Sequence, residues 1–267
     1  MPTVPPENRL VVVHPDAATL AQATAARLLT RLLDLQSVQD VVHVVVTGGT
    51  IGIELLAAVR DNPVRDAVDW SIVHVWWGDE RFVAEDDADR NELQAREALL
   101  DTLSDAHGGP LPEANIHAMP AAAAGVTPGD GAVAYAHVLA RFAPTGAPAD
   151  LLVPAFDVLL LGLGPDAHVA SLFPGHPVLD ATGTTTGVEG SPKPPPLRVS
   201  LTLAAIRAAR EVWVVAAGAG KADAVARSLG GAPVSEAPAA GAVGTERTLW
   251  LIDTTAAADI PSASPVG

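Results

Sequence analysis

The sequence has no cysteine, which excludes disulfides, thiolate metal sites and cysteine nucleophiles and leaves the redox compartment undecided. Aromatic residues are scarce, at 4%, and basic residues are few: 16 Lys and Arg stand against 31 Asp and Glu, a formal charge of −15. So acidic a chain repels nucleic acids and anionic membrane surfaces at long range, so neither is expected as a partner. The apolar runs are all too short to span a bilayer, and residues 1–10 lack the basic start and apolar core of a secretory signal, so a cytoplasmic protein is expected. The phosphate-loop pattern G-x-x-x-x-G-K-[ST] is missing. So is the G-x-S-x-G elbow, which argues against a serine-esterase role for Ser171.

What is present is a chain of 267 residues, 49% apolar and dominated by Ala, Val and Leu. That length suits one α/β domain with a large core, and its composition suits helices covering a Val-rich sheet. Short β-branched runs at 9–14, 41–47, 71–78, 156–164, 211–218 and 247–253 read as strands. Stretches of helical character lie between them at 16–35, 53–60, 91–103, 131–142, 201–209 and 221–229. Alternating strand and helix implies right-handed crossovers and a doubly wound, mainly parallel sheet flanked by helices. The Gly/Pro-rich stretches 120–130, 144–154, 182–196 and 230–244 read as loops, and a frayed tail is expected from Ala256.

Ligands of such sheets bind beyond the carboxyl ends of the strands, and four strand ends carry unusual residues. "TGGTIG" (47–52) can turn backbone N–H groups of Gly48, Gly49 and Thr50 toward an anion at a helix N-terminus. The same residues also suit a plain tight turn with Thr50 as N-cap. In "GDER" (78–81), Asp79 and Arg81 alternate with Glu80, so both can project to one side of an extended run. The Arg81 fork suits phosphate or carboxylate. The acidic run Glu85, Asp86, Asp87 and Asp89 lacks rigid ligand spacing and reads as a solvated loop, with no metal expected.

"GLGPDAH" (162–168) places Asp166 and His168 where a buried strand runs out. An imidazole near a carboxylate is the usual makings of a general base. His43 and His74 lie inside apolar runs and read as sheet residues, whereas His14, His107, His117 and His137 have no chemical company in the sequence. Lys221, after "GAG", and Arg198, after a proline run, can join Arg81 in a local cationic pocket. An acidic protein that binds a phosphorylated small molecule needs such a pocket.

Taken in order, "GDERFV", "GLGPDAHVASLFPGH", "SPKPPPLRVSLTL" and "GAGKADAV" resemble the signatures of the 6-phosphogluconolactonases, over the stretch 41–252. The resemblance implies one sugar-phosphate-binding lactonase domain of the isomerase/deaminase α/β type. It implies hydrolysis of 6-phospho-D-glucono-1,5-lactone to 6-phosphogluconate, with no cofactor and a sugar-phosphate lactone as the small-molecule partner. Oligomeric state is left open. His168 would activate water, Asp166 and Asp79 would line the site, and Arg81, Arg198 and Lys221 would hold phosphate or lactone oxygens with Gly48, Gly49 and Thr50. Asn91 matches the family asparagine that opens the helix after "GDER". Apart from the resemblance, the length of the Pro-rich loop ending at Pro196 suggests a lid, from which Lys193 would reach the phosphate.

Three stretches depart from the family pattern. Ala167 replaces the glycine of D-G-H, at a cost of about 1 kcal/mol if a left-handed conformation is needed there. "TGGTIG" lacks the serine and proline of S-G-G-S-T-P, and Ala84 stands where a proline is common. The alternatives are a glucosamine-6-phosphate deaminase, whose N-E-P stretch is replaced here by "SLFPG", and a sugar-phosphate sensor without turnover.

Overall fold

The computed structural model describes residues 9–261. In chain order it contains β1 (Arg9–His14), α1 (Ala17–Gln36), β2 (Val42–Val46), α2 (Thr50–Asp61), β3 (Val73–Trp77), β4 (Asp79–Arg81), α3 (Asn91–Ala95) and α4 (Asp101–Leu103). There follow β5 (Ile116–His117), α5 (Pro128–Ala140), β6 (Val158–Gly162), β7 (Thr185–Val188), β8 (Arg198–Leu201), α6 (Leu203–Arg207), β9 (Glu211–Ala216), α7 (Ala222–Leu229) and β10 (Arg247–Asp253).

Seven of these strands form a sheet of order β1-β10-β9-β6-β2-β3-β5, with every neighbouring pair parallel. It is the mainly parallel sheet flanked by helices that the alternation of elements implies. β2 and β9 are buried throughout and β6 at all but its last residue, as Val/Leu runs require when both sheet faces are covered. Asp16 caps α1 by accepting the Thr19 N–H at 2.8 Å. Leu20, Leu28, Leu32 and Leu35 lie on its buried face.

The winding locates the site. From β2 the chain moves outward through β3 to β5, and from β6 it moves the other way through β9 to β10. β2 and β6 are therefore the neighbours between which the topology reverses, and the loops leaving their carboxyl ends diverge around a crevice. Thr47 Oγ1 accepts the Gly162 N–H at 3.1 Å, tying the two strand ends together.

Several expected boundaries are corrected. β4, β8 and β7 form a separate three-stranded antiparallel sheet, so part of the 182–196 stretch, expected to be loop, is strand. "TTGV" has little strand character alone; β8 and α5 supply its neighbours, with Thr185 Oγ1 donating to the Ala132 carbonyl at 2.7 Å. Leu201 ends β8 rather than opening a helix, and α6 starts at Leu203 behind a Thr202 cap. α5 begins at Pro128, ahead of 131, because Thr127 and Asp130 form a reciprocal capping box. The tail is held beyond Ala256, which is buried and donates its N–H to Asp253 at 2.7 Å. Ile260 packs on the core, and the rest of the expected frayed segment lies outside the described residues. No described helix is long and apolar enough to cross a membrane.

Sheet adjacency also gives His117 company that the sequence does not show. His74 Nδ1 lies 2.9 Å from His117 Nε2, His117 stacks on Trp76 with ring centres 3.8 Å apart, and Trp76 Nε1 donates to His43 Nδ1 at 3.1 Å.

Candidate active site

The crevice is a cleft of about 580 Å³, lined by the strand-end loops of the large sheet and by residues of the β4–β8 ladder. All the expected site residues line it except Asp166, which stands behind His168.

After β6 the chain turns back on itself, the Ala167 N–H donating to the Gly164 carbonyl and the Gly164 N–H to the His168 carbonyl, both at 2.9 Å. His168 is thereby returned over Gly164, where a Cβ would run into the imidazole and the Asp166 carboxylate. Ala167 is fully buried with φ of 70°, so it keeps the left-handed conformation a glycine would adopt, at about 1 kcal/mol. The pair it separates is intact.

His168 Nδ1 lies 2.6 Å from Asp166 Oδ1. An ionised carboxylate only accepts, so Nδ1 carries a proton, and the neutral form of the ring then has its lone pair on Nε2. Lys193 Nζ donates to the same Oδ1 at 3.1 Å and lies 3.3 Å from His168 Nδ1. Both nitrogens are donors, so the shared Asp166 oxygen is what draws them together. Burial works to raise the Asp166 carboxyl, but hydrogen bonds and charge from His168 and Lys193 outweigh it and hold the group well below the usual carboxylate range. Phe173 packs against the imidazole with ring centres 4.7 Å apart. The carboxylate on His168 is Asp166; that of Asp79 accepts from Ser171 Oγ at 2.6 Å instead.

The β4–β8 register sets Arg81 opposite Arg198. Two cations facing across a ladder repel, and Asp79, Glu80 and Asp89 are the negative charges that offset this. Burial lowers the Arg198 guanidinium from its ordinary value; Asp79 works against this and Arg81 with it. Arg81 Nη1 donates to the Asp89 carbonyl at 2.6 Å, while its Nε is buried without a partner. Lys221 follows Gly218, whose φ is 93° and whose N–H donates to both Asp253 carboxylate oxygens at 3.1 Å. Burial, and then the Lys193 charge, push the Lys221 amine down.

Gly49, with φ of 79°, is the N-cap of α2, and Thr50 is its first helical residue rather than the cap. The first N–H groups of a helix have no intrahelical partner and favour an anion. Gly48 lies so close to the Asn91 amide that a Cβ would overlap it. Asn91 Nδ2 donates to the Asp79 carbonyl at 2.9 Å.

Three supporting residues are given no part in the site by the sequence, which raises Ser171 only as a nucleophile. The Glu80 carboxylate is buried and accepts the N–H groups of Arg81, Asn91 and Glu92 at 2.7–2.9 Å, fixing both β4 and the start of α3. Strand alternation carries the signal, since it turns Glu80 away from the face of Asp79 and Arg81. Ser171 and Asp253 reach the site through contacts distant in sequence, Ser171 to Asp79 and Asp253 to Gly218. Among the described residues no group of three His, Asp or Glu is arranged to hold a metal ion.

Residues 15–250 match the family model described as glucosamine-6-phosphate isomerases/6-phosphogluconolactonase. The 6-phosphogluconolactonase of Streptomyces coelicolor is 53% identical over 253 residues, 94% of each chain. That of Mycobacterium leprae is 45% identical over 262 residues, 94% of this chain and 98% of its relative. The solved 6-phosphogluconolactonase of Trypanosoma brucei superposes with a TM-score of 0.78 at 28% identity, covering 95% of this chain and 99% of that one. A monomeric glucosamine-6-phosphate deaminase superposes with a TM-score of 0.73 at 15% identity over 93% and 99% of the two chains, a likeness of fold alone.

Proposed function

The chain belongs to the glucosamine-6-phosphate isomerase and 6-phosphogluconolactonase family and is a lactone hydrolase; on that premise we propose that His168 is the base of a water-mediated ring opening. The substrate is 6-phospho-D-glucono-1,5-lactone and the product 6-phospho-D-gluconate, the hydrolytic step of the oxidative pentose phosphate pathway. One observation carries the role of His168: its Nδ1 is held at 2.6 Å by Asp166 while the ring lines the cleft.

His168 Nε2 takes a proton from water as the water oxygen attacks C1 of the lactone. Asp166 stabilises the imidazolium that forms. The carbonyl oxygen becomes an oxyanion next to the cationic rim, where Arg81 supplies positive charge. Collapse of the tetrahedral intermediate breaks the bond between C1 and the ring oxygen, which leaves with the proton returned by His168. Arg198, Lys221 and the Gly48-Gly49-Thr50 turn hold the phosphate, and Asp79 lines the pocket beside them. A δ-lactone is already reactive toward water, so positioning and one base suffice.

A single lactonase domain is part of the reading, supported by the one continuous core cluster. A cytoplasmic location is part of the same reading, and the charge of −15 supports the expectation that neither nucleic acid nor an anionic membrane surface is a partner. The test is to generate the lactone in situ with glucose-6-phosphate dehydrogenase and follow 6-phosphogluconate. Release well above the spontaneous rate is expected; release at the spontaneous rate refutes the assignment.

A further inference from the structure

Lys193 sits on the proline-rich stretch between β7 and β8, where the sequence suggests a phosphate-binding lysine on a lid. The backbone there is pinned rather than loose. Ser191 Oγ donates to the Lys193 carbonyl at 2.8 Å and accepts its N–H at 3.2 Å. Arg198 then holds three successive carbonyls of the same stretch, Pro195 through Nε at 2.8 Å, and Pro194 and Lys193 through Nη2 at 2.9 and 3.2 Å. So anchored, the strap delivers its one ammonium group to the catalytic pair, 3.1 Å from Asp166 Oδ1 and 3.3 Å from His168 Nδ1.

We propose that Lys193 is a positioning residue of the hydrolytic machinery: it clamps the Asp166 carboxylate as the fixed acceptor of the His168 Nδ1 proton, and the phosphate is held by other residues. The proposal rests on the reading of His168 as the base. Asp166 alone is poorly restrained. Its side chain is 34% exposed, on a turn whose next residue is a left-handed alanine, and a carboxylate so placed has solvent and other rotamers open to it. A second donor on the oxygen that already binds the imidazole removes that freedom. The strongly lowered proton affinity of Asp166 agrees with this, since it keeps the group an acceptor at any pH at which the enzyme works.

The alternative, that Lys193 grips the phosphate, makes a different kinetic prediction. A phosphate ligand binds ground state and transition state alike, so its loss raises KM; a group that aims the base acts on kcat. Lys193→Met, Lys193→Arg and Lys221→Met are compared with the native enzyme for kcat and KM on the in situ lactone, and for competitive inhibition by inorganic phosphate. Lys193→Met is expected to lower kcat roughly tenfold or more, with KM and the phosphate inhibition constant within about twofold of native. Lys193→Arg, which can also donate to Asp166, should recover most of the rate. Lys221→Met should instead weaken phosphate inhibition. The proposal is overturned if Lys193→Met raises KM and the inhibition constant together with kcat unchanged, or if it changes nothing. Native enzyme no faster than spontaneous hydrolysis would bring down the lactonase reading itself, and this proposal with it.

Discussion

Gly164 and His168 are in contact through a space that only hydrogen can fill: the Gly164 N–H donates to the His168 carbonyl at 2.9 Å, and the imidazole folds back over the glycine Cα. The two residues thus define one closed turn, with the base on top and Asp166 beside it. Gly164→Ala is expected to displace both reactive side chains, because the added methyl meets His168 and Asp166 together. A displacement of about 1 Å is worth on the order of 100-fold in rate. Steady-state kinetics on the lactone, with a thermal melt to establish folding, checks this. Activity within threefold of native would show that the turn does not aim the base.

Ala167 tests the same turn from the other side. The residue is buried at φ of 70° and the Asp166–His168 contact survives it, so restoring glycine by Ala167→Gly should leave kcat/KM within about threefold. Ala167→Val is different: a β-branched side chain is strained in the left-handed region and has no room at a buried position. It should lower both melting temperature and activity. A Val variant that behaves like native enzyme would contradict the turn geometry.

The Asp166–His168 turn is legible in the amino-acid sequence, because an apolar strand that stops at glycines and is followed at once by Asp and His has few structural uses. The parallel sheet is legible for a similar reason, each Val-rich run being separated from the next by a helix-length segment. The small β4-β8-β7 sheet is not. β4 has three residues and β7 four, one a glycine, and each is a strand only through its partner. Yet that sheet is what sets Arg81 against Arg198. Glu80 hides between two more conspicuous residues, and Lys193 resembles a phosphate ligand because a sequence shows a loop's length but not where its anchors lie.

Glu80 accounts for much of the rigidity around the cleft. Its carboxylate accepts three backbone N–H groups and lies 3.9 Å from Arg90, also buried. Glu80→Gln replaces one acceptor oxygen with a donor facing those N–H groups and leaves Glu92, at 3.1 Å, as the carboxylate still paired with Arg90. A loss of about 2–4 kcal/mol is expected, visible as a lower urea midpoint with unchanged slope. A loss below about 0.5 kcal/mol would mean the interior rearranges around the amide.

Acid sensitivity follows from His43, His74 and His117. Burial, and then mutual charge with its neighbours, lower His43 to about 3; burial, His74 and Arg141 lower His117 to about 4; burial also lowers His74. The unfolded chain takes up these protons near pH 6.5 while the folded protein does not. Stability is therefore full above about pH 6.5 and is lost as pH falls toward 4 and then 3, His43 alone contributing on the order of 3–5 kcal/mol across that range. Urea midpoints measured from pH 7.5 to 4 should fall steadily, and His117→Gln should flatten the curve. A flat native curve would show that the cluster is protonated or hydrated in the folded state.

The central claim is that His168 activates water for lactone opening, and the most direct measurement is kcat/KM of His168→Gln on 6-phospho-D-glucono-1,5-lactone beside the native enzyme. Both should melt alike and be protected alike by inorganic phosphate, so that a change in rate reports chemistry. The account predicts a fall of about 10²- to 10⁴-fold, the range for removing a general base. A variant within tenfold of native would place the proton transfer elsewhere and contradict the mechanism.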